Sequence, residues 1–347
     1  MKNLSLAFLL LSMLAGCGHM PLRTVDNLAL RECDEVVQSG IDGGIYPGAV
    51  LVVGNEDAIL YAKTYGRHTY EDDAPPMQFD TLFDLASVSK VVGTSLAAFA
   101  NMDDGRLALD DPVAQHIKGF EAHGKGGVTI KDLMTHVSGL TPYENYRVVK
   151  EKQKPDESNA DALIRHYAAM ELNYPPRSKS RYSCLNFQTM ARVNENASGM
   201  RQEDLLIKRV YGPLRMTDTR YVLSDEQRLR TAPTIRRKNG ELVKGDVHDP
   251  LANYHGSIDH CPGNAGLYST AQDMTTFCRM VLGEGAYRDA KIYRPEIIRM
   301  ATRRQTPESI EIIRGLGFQI YTEPPWMTES NRTPENRIVD YMERPAP

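Results

Sequence analysis

What this 347-residue chain lacks narrows its chemistry first. Its 41 basic residues are outnumbered by 45 acidic ones, for a formal net charge of −4, and they form no cluster of any size. A face built for nucleic acid would need one. Cysteine is sparse: five residues, none at Cys-x-x-Cys spacing, so no zinc-binding framework of paired cysteines and histidines is present. No metal or other cofactor is therefore expected. Internal repeats and low-complexity tracts are also absent. The apolar run "LSLAFLLLSML", Leu4 to Leu14, is well short of the about 20 residues that a spanning helix requires. With 41% hydrophobic and 25% charged residues, the rest is ordinary globular sequence. Its length suits one two-lobed domain or two small ones.

That apolar run does fit a secretory signal, because Lys2 supplies a positive start and the run follows directly. It closes on "LAGC", Leu14 to Cys17, which resembles the bacterial lipoprotein box. The resemblance implies cleavage before Cys17 and lipid attachment to it. Gly18 in place of Asp resembles lipoproteins sent on to an outer membrane. The expected organisation is a signal peptide over 1–17, a linker over 18–26 and a membrane-anchored protein of the cell envelope. The other cysteines are 33, 184, 261 and 278; an extracytoplasmic address permits disulfides, but spacing selects no pair.

Along the mature chain, apolar positions from Leu28 to Ile41 recur at helical spacing until Gly43-Gly44 stops them. Two β-branched runs around "NED" predict a hairpin over 48–66. After Lys90 the pattern is helical, up to the breakers Gly105 and Pro112. In "VTIKDLMTHVSGL", Thr129 stands three before Asp132, a capping-box start. Residues 147–160 are polar and read as an exposed loop. Helices resume at "ADALIRHYAAMEL" and "NFQTMARVNENASG", and strand character returns only near "GLGFQIY", 315–321. Strands first and then a long helical stretch predict an α+β plan with a helical insert.

The phrases "FDLASVSKVVGT", "GRLALDDPV", "VTIKDLMTHVSGL", "YSCLNF", "YGPLRMTDT" and "GNAGLYSTAQDM" follow one another from about residue 40 to 321. In that order and spacing they resemble the penicillin-recognising serine hydrolases, the group of class C β-lactamases, DD-peptidases and esterases. The resemblance implies an antiparallel sheet flanked by helices, an all-helical region, and an active site between them. It implies a β-lactamase-like domain over 27–321, acting through an acyl-enzyme on an ester, a β-lactam or a D-alanyl peptide.

Ser87 and Lys90 carry that chemistry if the resemblance holds. A free hydroxyl is a poor nucleophile at neutral pH and needs a base beside it. Positions i and i+3 of a helix share a face, so the Lys90 amine can reach the Ser87 hydroxyl. A serine at a helix start also gains an unpaired backbone N–H and the positive end of the helix dipole. Without the other phrases, the favoured reading is that Ser87 merely caps the helix and Lys90 is solvated. The resemblance further makes Tyr182 a proton relay. It places Cys184 against the substrate, where relatives carry the Asn of a Tyr-x-Asn element. Cysteine is only a weak donor and acceptor, so recognition of amides and β-lactams should suffer more than that of esters. Asn186 and His136 read as structural, while His255 and His260, near Asn264, are candidates to line the cleft.

One element of the resemblance is not found: no Lys-Thr-Gly or His-x-Gly triplet follows "GLGFQIY". Beyond Tyr321 stand 26 residues with five prolines, 322–347, expected to be an irregular tail. The expectation is an incomplete domain with its last strands missing and a sheet edge open to association. Loss of the oxyanion donor on that strand would cost about 3 to 4 kcal/mol, roughly a hundredfold or more in ester turnover. A degenerate relative that binds cell-wall peptides without turning them over is the alternative to an enzyme.

Overall fold

The computed structural model describes residues 28–321, so the signal segment, Cys17, the linker and the tail lie outside the described residues. Helix α1 (Leu28–Asp42) leads into an antiparallel hairpin of β1 (Gly48–Gly54) and β2 (Ile59–Gly66), in register from Gly48–Gly66 to Val53–Tyr61 and shifted by one residue at Gly54–Ile59. A short strand β3 (Phe83–Asp84) then delivers the chain to the turn that holds Ser87.

From Lys90 the helix starts as a π-type turn, Lys90–Ser95, and continues as α2 (Leu96–Asp103). Such wide turns are rare and leave backbone carbonyls askew. Here side chains meet them: Tyr211 donates to the Val92 carbonyl at 2.9 Å and Asn194 to that of Thr94 at 2.9 Å. Leu96 to Met102 is apolar on nearly every face, and all of it is buried. A helix of that composition belongs in a core rather than at its rim. Burial of each large side chain, Leu96 and Phe99 among them, contributes about 1.5–3 kcal/mol. The Tyr293 hydroxyl donates to the Leu96 carbonyl at 2.8 Å and ties the later chain to this helix.

Helix α3 (Ile130–Met134) has the expected capping box: Thr129 accepts from the Asp132 N–H, and Asp132 accepts from that of Thr129. Helices α4 (Asn159–Ala169) and α5 (Cys184–Ser198) complete the helical lobe. Strand β4 (Tyr268–Ser269) pairs antiparallel with β3, and α6 (Ala271–Leu282) packs beside β1. The α+β class holds.

Two local expectations fail for physical reasons. Residues 147–160 are not all loop: Tyr146–Glu151 is helical, because Asn145 caps it and Val149 is drawn into the core. Residues 315–321 form no strand beyond an isolated Arg314–Gln319 bridge. Gly317 has φ +82°, which breaks extension, and the Leu316 and Gly317 N–H groups donate to Ala301 and Met134 instead of a neighbouring strand. Strand pairs appear where none was expected, at 235–236 with 242–243 and at 286–287 with 290–291. Among the described residues β1 pairs with β2 alone. Cys33, Cys184, Cys261 and Cys278 are all free thiols.

Candidate active site

The peptide preceding the serine is held in an uncommon shape. Ala86 has φ +44°, and its N–H is anchored to the Asp84 carboxylate at 2.8 Å. A positive φ is disfavoured for any residue with a Cβ, so surrounding contacts must impose it. The Leu85 N–H donates to the Leu267 carbonyl at 2.9 Å, and Ser89 Oγ accepts from the Leu267 N–H at 3.0 Å. Held from both sides, Ser87 projects from the turn with its side chain exposed, while Lys90, one turn on, is only 2% exposed.

Lys90 Nζ donates to Ser87 Oγ at 3.0 Å and to the Asn264 carbonyl at 2.8 Å, with Cys184 Sγ at 3.8 Å. It also lies 4.7 Å from the centre of the Tyr182 ring, within cation–π range. No carboxylate pairs with it among the described residues. Three acceptors and an aromatic face thus surround a buried amine beside an exposed hydroxyl. The structure brings Ser87, Lys90, Tyr182 and Cys184 together.

Tyr182 is placed by the "THVSGL" phrase. Ser180 Oγ donates to the Thr135 carbonyl at 3.3 Å, the Arg181 N–H to that of His136 at 2.9 Å, and the Cys184 N–H to that of Pro142 at 2.8 Å. Gly139 lets the two segments approach: at φ +87°, a Cβ there would stand 2.3 Å from the Tyr174 carbonyl oxygen. His136 packs its ring 4.6 Å from that of Tyr182 and accepts from the Ser183 N–H at 3.1 Å. Burial, with Arg314 and Lys90 nearby, holds His136 well below the ordinary histidine range. It is a neutral wedge, as its structural reading required. Asn186 pairs with the same ring and accepts from Ser138 at 2.6 Å.

His255 and His260 do not join the cluster. His255 is buried against the Gly256 carbonyl and pushed down to about 4 by burial; His260 pairs with Glu195 at 2.6 Å. Asn264, named in the sequence only as a neighbour of the two histidines, is the residue that anchors the lysine. Its side chain accepts from Gln188 at 2.8 Å and donates to Asp249 at 3.2 Å, so its carbonyl stays aimed at Lys90. Gly263 before it has φ +76°, and a Cβ there would lie 2.3 Å from the Phe187 carbonyl oxygen. Its own carbonyl accepts from Thr94 at 2.8 Å, joining this loop to the π-type turn. Arg314 was also missed: it sits 6.0 Å from the Tyr182 ring and donates to Ser180 at 3.1 Å. Among the described residues no cluster of His, Cys, Asp and Glu is arranged to hold a metal ion.

The arrangement has the parts for nucleophilic acyl transfer: an exposed hydroxyl, a buried amine bonded to it and a tyrosine whose ring lies against that amine. The beta-lactamase family model matches residues 33–333. The chain is 28% identical to an N-acetylmuramyl-L-alanine amidase of Bacillus subtilis over 291 residues, 76% of this chain. That match spans 65% of the amidase's length. A penicillin-binding protein homologue from Pyrococcus abyssi, described as octameric, superposes with a TM-score of 0.66 at 21% identity, covering 84% of this chain and 65% of that one. A hydrolase with promiscuous acyltransferase activity superposes with a TM-score of 0.66 at 22% identity, over 83% and 81% of the two chains.

Proposed function

Because the chain belongs to the beta-lactamase family, we propose that it is a serine hydrolase acting through an acyl-enzyme on Ser87. The observation that carries the reading is the buried Lys90 amine, hydrogen-bonded to Ser87 Oγ at 3.0 Å with no carboxylate partner among the described residues. Ser87 Oγ attacks the substrate carbonyl, and its proton passes to the Lys90–Tyr182 pair. The new C–O bond forms as the carbonyl π pair moves to oxygen. The backbone N–H of Ser87 faces the resulting oxyanion. Collapse expels the leaving group, which takes the proton back through Tyr182, and water repeats the steps in reverse to free the acid. The substrate class is a small ester, a β-lactam or a D-alanyl peptide of the cell wall, with esters favoured because Cys184 stands in the relatives' Asn position.

We further propose lipid attachment at Cys17, which would tether the domain to the envelope membrane. The "LAGC" phrase behind an apolar run supports it. Cys17→Ala should yield unprocessed or soluble protein on fractionation, and normal membrane recovery of that variant would remove the proposal.

Cys184 also favours a second reading, a cell-wall-peptide binder without turnover. A fluorophosphonate probe and a fluorescent penicillin separate the two. Labelling that vanishes in Ser87→Ala supports the hydrolase; absence of labelling by either probe supports the binder.

A further inference from the structure

The carbonyl that anchors Lys90 sits on an unusual turn. The Asn264 N–H donates to the Pro262 carbonyl at 2.9 Å across Gly263, whose φ is +76°. A three-residue turn closed in this way at positive φ is the rare hand of the γ-turn. Glycine reaches either hand with similar ease, so the residue type does not choose between them. The ends of the turn are fixed. The Cys261 N–H donates to the buried Glu195 carboxylate at 3.0 Å, and the Asn264 side chain is held by Gln188 and Asp249. The central carbonyl, that of Gly263, accepts from the Thr94 hydroxyl at 2.8 Å. Thr94 stands four residues after Lys90, and residues so spaced on a helical turn are neighbours. Two side chains of one turn thus hold successive carbonyls of one loop: Thr94 that of Gly263, and Lys90 that of Asn264.

A threonine hydroxyl carries one proton, and here its direction is set. Gln202 Nε2 donates to Thr94 Oγ1 at 3.3 Å and to the Tyr221 hydroxyl at 3.2 Å, while Gln202 Oε1 accepts from Asn194 at 2.8 Å. All four side chains are buried. With an amide N–H aimed at its oxygen, Thr94 is left to point its proton at Gly263. We propose that Thr94 is a positioning residue for the reaction: by holding the Gly263 carbonyl it selects the hand of the turn, and so keeps the Asn264 carbonyl where it fixes the Lys90 amine beside Ser87. This rests on the acyl-enzyme reading above. The bond differs from the other ties on the π-type turn. Tyr211 donates to the Val92 carbonyl, so its bond ends on the turn itself and not on the loop. Without the Thr94 hydroxyl the γ-turn is free to relax to the opposite hand, and the amine loses its aim at the serine.

The test compares, in the full chain, the rate of fluorophosphonate labelling at Ser87 with the melting temperature. Thr94→Val keeps the side-chain shape and removes the donor; it should slow labelling, and kcat/KM for a nitrophenyl ester, by about tenfold to a hundredfold. Thr94→Ser keeps the hydroxyl and should label at close to the wild-type rate. Tyr211→Phe also leaves one buried carbonyl of the turn unpaired, so it should lower the melting temperature about as much as Thr94→Val while labelling stays near wild type. If Thr94→Val does not fold, Thr94→Ala, which adds no methyl group against the Gly263 oxygen, takes its place with the same expected slowing. A folded Thr94→Val or Thr94→Ala that labels as fast as wild type would overturn the inference. Equal slowing in Tyr211→Phe would do so too, because the bond would then be merely structural. In both cases wild type is still labelled at Ser87, and this inference alone fails. If wild type is never labelled, the acyl-enzyme reading fails and takes this inference with it.

Discussion

Among the described residues two lysines are buried without a salt bridge, and one of them stands at the candidate site. Lys125 is fully buried (0% exposed) and Lys90 nearly so (2%). Each donates to a backbone carbonyl, Met170 for Lys125 and Asn264 for Lys90, and each has an aromatic ring nearby, Phe120 at 5.7 Å and Tyr182 at 4.7 Å. Burial holds Lys125 below the ordinary lysine range. Burial, a capping carbonyl and a ring are therefore not enough to define a reactive lysine. What Lys90 adds is an exposed hydroxyl at 3.0 Å, three residues earlier on a turn forced into shape by Ala86. Lys125 closes a loop; Lys90 faces outward through Ser87.

The comparison breaks most sharply at the serine. Ser87→Ala should abolish probe labelling and reduce ester turnover by about a thousandfold or more, with little change in melting temperature because the side chain is exposed. Next come the lysines themselves. Lys90→Met should cost nearly as much activity as loss of the serine, since the two act as a unit. Lys125→Met should leave labelling intact and give a melting temperature equal to or above wild type, because apolar replacement of a buried charge is often neutral or stabilising by about 1–4 kcal/mol. Equal loss of labelling in both variants would erase the distinction.

Smaller effects sharpen it. Tyr182→Phe should lower kcat/KM by about 10²–10⁴-fold, the usual range for a positioned proton-transfer group, while the Ser87–Lys90 pair stays folded. Cys184→Asn should raise turnover of a β-lactam relative to an ester; an unchanged or lower ratio would show that Cys184 is not what limits amide recognition. Thr129→Ala removes the cap of α3, far from the lysine amine, and should cost about 1 kcal/mol of stability by chemical denaturation with kcat/KM unaltered.

How far the sequence carried this picture depended on separation along the chain. Ser87 and Lys90 were readable because three residues on a helical turn are close by geometry. Thr129 with Asp132 was readable for the same reason. Tyr182 and Cys184 lie more than ninety positions from Lys90 (|i−j|=94 for Cys184) and entered only through resemblance. Asn264, 174 positions from Lys90, acts through its backbone carbonyl, and no side-chain pattern announces that. Arg314 was illegible because its contacts, with Ser180 and the Tyr182 ring, are made across a separation of 134 positions that only tertiary structure closes. The strand expected at 315–321 failed because apolar residues there face the ends of other elements, and one glycine turns the chain aside.

The central claim is that Ser87 is the acylated residue. Peptide mapping by mass spectrometry, after brief exposure to a fluorophosphonate, tests it most directly. The account predicts one adduct, on the peptide containing Ser87, that disappears in Ser87→Ala and forms far more slowly in Lys90→Met. An adduct on Cys184 or another residue, or none on a folded protein, would contradict it.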